Sequence, residues 1–375
     1  MNPHLNPLHC IIPPHMLKNM IENGSPAQKE VALASITASA QFRGKRQALA
    51  ESVPYLPATP NPGKQRRVFN AENGSTLPGT LVRNEGEPPV SDTGVNEAYD
   101  GAGATYDLYW EVYQRNSVDG LGLRLDSSVH YQKNYDNAFW DGQQMVYGDG
   151  DGQLFNRFTI AIDVMGHELT HGVTQYTSNL NYSYQSGALN ESFSDVFGSL
   201  VKQRQLGQSA TDADWLIGAG LFTANVKGVA LRSMKAPGTA YNDPVLGKDP
   251  QPGHMRDYVS TSQDNGGVHI NSGIPNHAFY LLATSLGGYA WEKAGKIWYV
   301  TGRDKFKSNT DFQNAADLTF QTAGELFGQD SPEQKAVQSS WDGVGITIGA
   351  PDQPPPQPNG CLAAPVNFIR SLFGS

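Results

Sequence analysis

The spacing of apolar and polar residues changes character along the chain. Within residues 25–42, SPAQKEVALASITASAQF, apolar positions recur at helical intervals behind a serine suited to an N-cap, and a basic RGKRQ stretch follows. From about residue 51 to 155 the runs shorten. Leu121, Leu123 and Leu125 alternate in LGLRLDSSVHY, and NAFWDGQQMVYGDGDG joins aromatic and β-branched residues to Asp-Gly turn signals, which predicts short strands and turns. The spacing is then helical to about residue 349, as in ALNESFSDVFGSLVKQ and NTDFQNAADLTFQTAGELFG. The end, APDQPPPQPNGCLAAPVNFIRSLFGS, reads as a proline-rich spacer and a short amphipathic tail. Four pieces are expected: a helical segment over 1–50, a β-rich domain over 51–160, an α-helical domain over 161–349, and a tail over 350–375.

Composition narrows the classes open to such a chain. Its 375 residues suit two packed domains, and 40 glycines with 24 prolines against only 17% charged residues point to an ordered, loop-rich protein. A net charge of −9 without a long Lys/Arg run leaves no footprint for nucleic acid or for an anionic membrane surface. No apolar run approaches the roughly 20 residues of a membrane helix. The opening MNPHLNPLHCIIPPHML interrupts its apolar positions with prolines and histidines, so no ordinary secretion signal is expected. Cys10 and Cys361 stand near opposite ends, and the body is expected to hold together without a disulfide framework.

Candidate chemistry centres on AIDVMGHELTHGV, residues 161–173. Four residues are about one helical turn, so His167 and His171 share a face and suit one metal ion, with Glu168 beside them as a base for water. At average usage the spacing H-E-x-x-H arises by chance in roughly one chain of this length in a hundred, so a buried helix with two hydrogen-bonded histidines stays open. Catalytic zinc needs a third ligand, and Glu191 in GALNESFSDVFG follows at the distance of a returning antiparallel helix. Asp195, four residues on, shares its face and is placed to accept the outer N–H of one ligand histidine, with Asn190 available to the other.

VMGHELTH followed by ALNESFSD resembles the zinc signature of thermolysin-like neutral metallopeptidases. DNAFWDGQQMVYGDGDG, LRSM, DNGGVHINSGIPNHAFY and SWDGVGI match that family in order, so the likeness spans residues 65–349. It implies an α+β fold, with a mostly β N-terminal domain and a mostly α C-terminal domain enclosing the zinc cleft. It also implies one catalytic zinc ion on His167, His171 and Glu191, with Glu168 as general base and His269 and Tyr182 as donors to the developing oxyanion. Asp264 orients His269 in this scheme, and a His–Asp pair favours the imidazolium that a donor role needs. Arg232 is implied to bind the substrate carbonyl beyond the cleaved bond. Asn137 and Ala138 fall on an open edge strand that pairs with extended peptide, and Phe155, Phe158, Val164 and Leu231 match a pocket for an apolar residue after the scissile bond. Each pocket residue is equally suited to a core.

Departures from the family carry their own expectations. Asp163 is kept from a double calcium site, but Lys202, Leu216 and Ala219 stand where three of its acids would be, so that site is expected to be lost. The first fifty residues resemble the short prosegment of the protealysin-like branch, with Cys10 near a Pro-Pro pair, and are expected to dock over the cleft as an intramolecular inhibitor. Cys10 is then either a ligand at the open zinc position or a small apolar filler. A monomeric zinc endopeptidase made as a zymogen is expected, acting on protein or peptide substrates. The family points to a secreted enzyme, while a cytoplasmic zymogen stays open. The alternative is an inactive, zinc-stabilised peptide-binding protein, against which the retained Glu168, His269, Asp264, Tyr182 and Arg232 argue.

Overall fold

The computed structural model describes residues 9–38 and 63–351. Autocleavage of the N-terminal segment is expected near Arg43 to Ala50, with Pro54, Pro57, Pro60 and Pro62 marking a second boundary; these positions, the RGKRQ stretch and the tail from Asp352 lie outside the described residues.

A short strand, β1 (His9–Cys10), opens the described chain and leads into α1 (Pro14–Asn23). Pro14 sits in the first turn, where a missing N–H costs nothing. A second helix, α2, runs through residues 26–38. Its start is closed reciprocally, with Ser25 Oγ accepting the Gln28 N–H and Gln28 Oε1 accepting the Ser25 N–H. Met16, Leu17 and Met20 of α1 are buried in the same core cluster as the body of the protein.

The β-rich part is a six-stranded mixed sheet of order β1-β5-β6-β4-β2-β3, formed with β2 (Arg66–Asn70), β3 (Thr80–Asn84), β4 (Leu125–Val129), β5 (Ala138–Trp140) and β6 (Gln144–Tyr147). β2, β4 and β6 run parallel, and the remaining pairings are antiparallel. The leucine alternation at 121–125 marks a strand that begins only at Leu125. A 15-residue helix, α3 (Thr93–Asp107), was not legible in this part. Glycines at 94, 101 and 103 lower its helix propensity, but Gly101 is needed for packing, since a Cβ there would meet Met165 Sδ at 2.3 Å.

The remainder is helical. α4 (Ile162–Gln175) and α5 (Tyr184–Leu206) pack along one another at the centre. Their approach depends on Gly198, because a Cβ there would lie 2.3 Å from the carbonyl oxygen of Asp163. Two small hairpins follow, β7 (Leu216–Ile217) with β8 (Arg232–Ser233) and β9 (Asn242–Asp243) with β10 (Gly247–Lys248). α6 (Asp264–Asn271), α7 (Gly273–Leu286), α8 (Lys293–Asp304), α9 (Phe312–Phe327) and α10 (Pro332–Asp342) complete the chain. Among the described residues no helix is long and apolar enough to cross a membrane.

Candidate active site

α4 is buried along nearly its whole length between the sheet and α5, which forces its polar side chains to find partners. His167 and His171 present their Nε2 atoms to one point, 2.9 Å apart, and Glu191 from α5 completes the group at 3.5 Å from each. One ligand atom from each of the three lies within 4.8 Å of the others, and all three residues are buried. The outer ring nitrogens are tied back: His167 Nδ1 to Asp195 Oδ1 at 2.8 Å, and His171 Nδ1 to Asn190 Oδ1 at 2.8 Å. With Nδ1 carrying the proton, each Nε2 turns a lone pair toward the shared point.

The donor set fits a dication such as zinc on two further observations. Glu191 Oε2 and Glu168 Oε1 are buried without a hydrogen-bond partner, beside two imidazole lone pairs. Burial, followed by the charge of Glu191, pushes the Glu168 carboxyl well above its ordinary range, a strain that a bound cation relieves. Glu168 Oε2 is held by the Trp140 amide at 3.1 Å, so β5 fixes the carboxylate.

Opposite the helices lies α6, whose first four residues are left-handed rather than helical, with φ of 52° at Asp264 and 51° at Asn265 followed by Gly266 and Gly267. That reversal folds Asp264 over His269. Its Oδ2 accepts the His269 amide at 2.9 Å and its Oδ1 faces His269 Nδ1 at 2.7 Å. Burial disfavours the imidazolium, but Asp264 and Glu191 outweigh it and lift His269 to about 9. His269 Nε2 is 3.1 Å from the Tyr182 hydroxyl, which donates to Glu191 Oε1. Asp195 receives Arg232 through Nε at 2.9 Å and Nη2 at 2.8 Å, and these contacts with His167 keep it ionised despite complete burial.

β5 would be an edge of the sheet but for β1, which pairs His9 with Trp140 and Cys10 with Phe139, antiparallel. The contact continues beyond the strand. Ile11 N–H donates to the Ala138 carbonyl at 3.2 Å, Ile12 N–H to Asn137 Oδ1 at 3.1 Å, and Arg232 Nη1 to the Ile11 carbonyl at 3.3 Å.

A buried His-His-Glu group, a carboxylate beside it and a strand edge receiving extended chain together form the machinery of a metallopeptidase cleft, and comparison with known proteins agrees. The signature described as "Thermolysin metallopeptidase, catalytic domain" matches residues 58–175, and "Thermolysin metallopeptidase, alpha-helical domain" matches residues 178–346. The chain belongs to the thermolysin metallopeptidase family. The "Extracellular metalloprotease" of Pectobacterium carotovorum subsp. carotovorum is 51% identical over 343 residues, 91% of this chain and 97% of that protein. "Protease PrtS" of Photorhabdus sp. is 48% identical, over 92% and 93% of the two chains. The solved precursor of protealysin, a metalloproteinase from Serratia proteamaculans, superposes with a TM-score of 0.83 at 53% identity, covering 90% of this chain and all of that one. A protealysin precursor among these neighbours is consistent with the branch that the N-terminal segment resembles.

Within this thermolysin-type metalloendopeptidase the implied pocket residues Phe155, Phe158, Val164 and Leu231 are all buried in the main core, the two phenylalanine rings 5.8 Å apart. A cavity of about 130 Å³ at the site is walled by Cys10, Ile12, Tyr182, Asn137 and His269, among others. Sequence reasoning missed several partners. Ser194 Oγ is 3.0 Å from His171 Nδ1, Asn276 donates to Asp195 Oδ2 at 2.8 Å, and Gln251 donates to the His269 carbonyl at 2.8 Å. Ser194 was within reach, lying three residues after Glu191 on the same helix; Gln251 and the Trp140 amide carry no signal of their own in the sequence.

Proposed function

We propose that this zinc-dependent endopeptidase of the thermolysin family is a zymogen that hydrolyses peptide bonds preceding an apolar residue. The observation that carries the reading is the convergence of His167, His171, Glu191 and Glu168 beneath a strand edge that already receives a peptide segment in extended form. Zinc held by the first three residues supplies Lewis acidity toward water and the substrate carbonyl. Glu168 Oε1, without a protein partner, takes the proton of the attacking water and passes it to the leaving amine. His269, held as a cation by Asp264, and the Tyr182 hydroxyl donate to the oxyanion that forms as the carbonyl carbon becomes tetrahedral.

Asn137, Ala138 and Arg232 align the substrate backbone, as they align residues 11 and 12 of this chain. Main-chain pairing of this kind is indifferent to side chains, which suits broad cleavage. Ile11 and Ile12 are 0% and 1% exposed, supporting an apolar preference on this side of the cleft. Residues 1–50 then act as a prosegment, whose described strand β1 pairs along the β5 edge that would receive substrate, with Cys10 on the cavity shared with Tyr182 and His269 as the group that would close the metal site. Asp163, paired with Lys202, no longer belongs to a double calcium site. The names "Extracellular metalloprotease" and "Extracellular minor metalloprotease" among the relatives support action outside the cell.

Cleavage of casein or of a quenched apolar peptide is measured for the matured wild type, for matured Glu168→Ala and for wild type with a chelator. Activity in the wild type alone is the expected outcome. Equal activity in all three samples overturns the mechanism, and an inert, fully matured wild type favours a peptide-binding protein.

A further inference from the structure

α1 meets the body of the protein through one titratable side chain. His15 Nε2 lies 3.0 Å from the Tyr241 hydroxyl, while its Nδ1 is buried without a partner. One turn on, Asn19 Nδ2 donates to the Leu246 carbonyl at 2.9 Å, so the helix is seated on the turn between β9 and β10. A neutral imidazole suits this place, because one ring nitrogen is matched and the other carries at most one buried N–H. An imidazolium does not, because it must donate from both nitrogens and Tyr241 offers one oxygen.

The charges around the ring act in both directions. Arg232 and His269 are cationic neighbours, and Asp264, the acid that faces His15, is engaged with the ring and amide of His269. Burial holds Tyr241 well above the ordinary tyrosine range, so it is a neutral hydroxyl. Asp249 near it is occupied by the backbone N–H groups of Gly238, Ala240 and Gln251, and Asp243 of β9 by those of Lys227, Val245 and Leu246. None of these acids hydrogen-bonds the His15 ring, and the charge of Asp264 only partly offsets the cost of burying an imidazolium there.

We infer that His15 is a proton-sensitive latch, which holds the prosegment helix on the Tyr241 turn when neutral and releases it on protonation. The latch rests on the zymogen reading above and adds to it the condition under which the prosegment leaves. Burial, opposed by the charge of Asp264 and aided by the two cations, lowers His15 from 6.5 to about 4 in the docked state. A docked group with a depressed basic pKa binds fewer protons than the undocked one, so docking is fully favourable above about pH 6.5 and weakens as pH falls from 6.5 toward 4. Between pH 7.5 and 5.5 the linkage amounts to about a tenfold loss in the docking equilibrium.

The test uses the zinc-loaded full chain carrying Glu168→Gln, so that the prosegment stays attached. Amide hydrogen exchange of Met16 to Asn23 is expressed as protection factors at pH 7.5 and 5.5, with α3 as internal reference. The expected result is a roughly tenfold fall in α1 protection at pH 5.5 with α3 unchanged, and loss of that pH dependence in His15→Gln, which keeps a donor for Tyr241. NMR titration of the His15 ring in the Glu168→Gln chain is expected to give a pKa well below 6.5, which keeps the test decisive if the glutamine variant does not dock. High α1 protection that is equal at both pH values, or a His15 pKa of 6.5 or above, overturns the latch and leaves the zymogen reading standing. Absence of α1 protection at either pH overturns both.

Discussion

The ammonium of Lys202 lies 2.9 Å from the buried Oδ2 of Asp163. It also lies 2.9 Å from Asp214 Oδ1 and 2.6 Å from the Leu216 carbonyl, so three oxygens that suit a hard cation surround a lysine instead. Burial works against the charged amine, yet these acids raise its pKa above the ordinary lysine value. A fixed ammonium and a calcium ion exclude one another here by charge and by volume. Enzyme inactivated with EDTA is therefore expected to regain full activity on addition of zinc without calcium. Two stoichiometric calcium ions near Asp163 in the native protein, measured by metal analysis, would show the reverse.

Asp195 ties the metal site to the substrate side of the cleft, because one carboxylate serves His167, Arg232 and Asn276. Replacing it by asparagine puts an amide N–H₂ where donors already point. The His167 ring loses its anchor, for which a 10–100-fold loss of zinc affinity is typical, and buried Arg232 loses its countercharge at a cost of about 3 kcal/mol. Asp195→Asn is expected to yield zinc to a competing chelator at correspondingly lower concentration and to melt earlier. Unchanged zinc affinity would remove Asp195 from this role.

The metal site was legible because its parts are local. His167, Glu168 and His171 share one helix, and Asn190, Glu191 and Asp195 share the helix that returns along it, so helical periodicity alone brings them together. His15 and Tyr241 stand 226 positions apart, and Ile12 and Asn137 stand 125 apart; periodicity does not reach across such separations. α3 was hidden for a different reason. Its glycines read as turn residues until Gly101 is seen to make room for Met165.

Cys10 is 9% exposed and borders the cavity shared with Tyr182 and His269. A thiolate binds zinc with an affinity that a hydroxyl does not match. The Cys10→Ser zymogen is expected to show leak activity before maturation and to mature sooner, followed on a fluorogenic peptide and by gel. If it stays silent and matures at the parental rate, Cys10 is an apolar filler and inhibition rests on the β1–β5 pairing.

His130 spans two carboxylates, with Nε2 2.9 Å from Asp92 and Nδ1 2.8 Å from Asp149. Both ring nitrogens donate only in the imidazolium, and the bond to Asp149, more than the one to Asp92, lifts the pKa to about 9. Because the folded value lies above the unfolded value of about 6.5, the contribution to stability is complete below pH 6.5 and disappears as pH rises through 9. The two carboxylates are 34% and 37% exposed, so solvent screening reduces the clamp to about 1–2 kcal/mol. Asp92 caps α3 through the Val95 amide, and Asp149 lies in the GDGDG loop after β6, so the clamp joins the helix to the loop that follows the sheet. His130→Gln is expected to lower Tm at pH 6 by roughly 2–4 °C for each kcal/mol lost, and to leave it near the parental value at pH 10. An equal deficit at both pH values would assign the loss to packing rather than to charge.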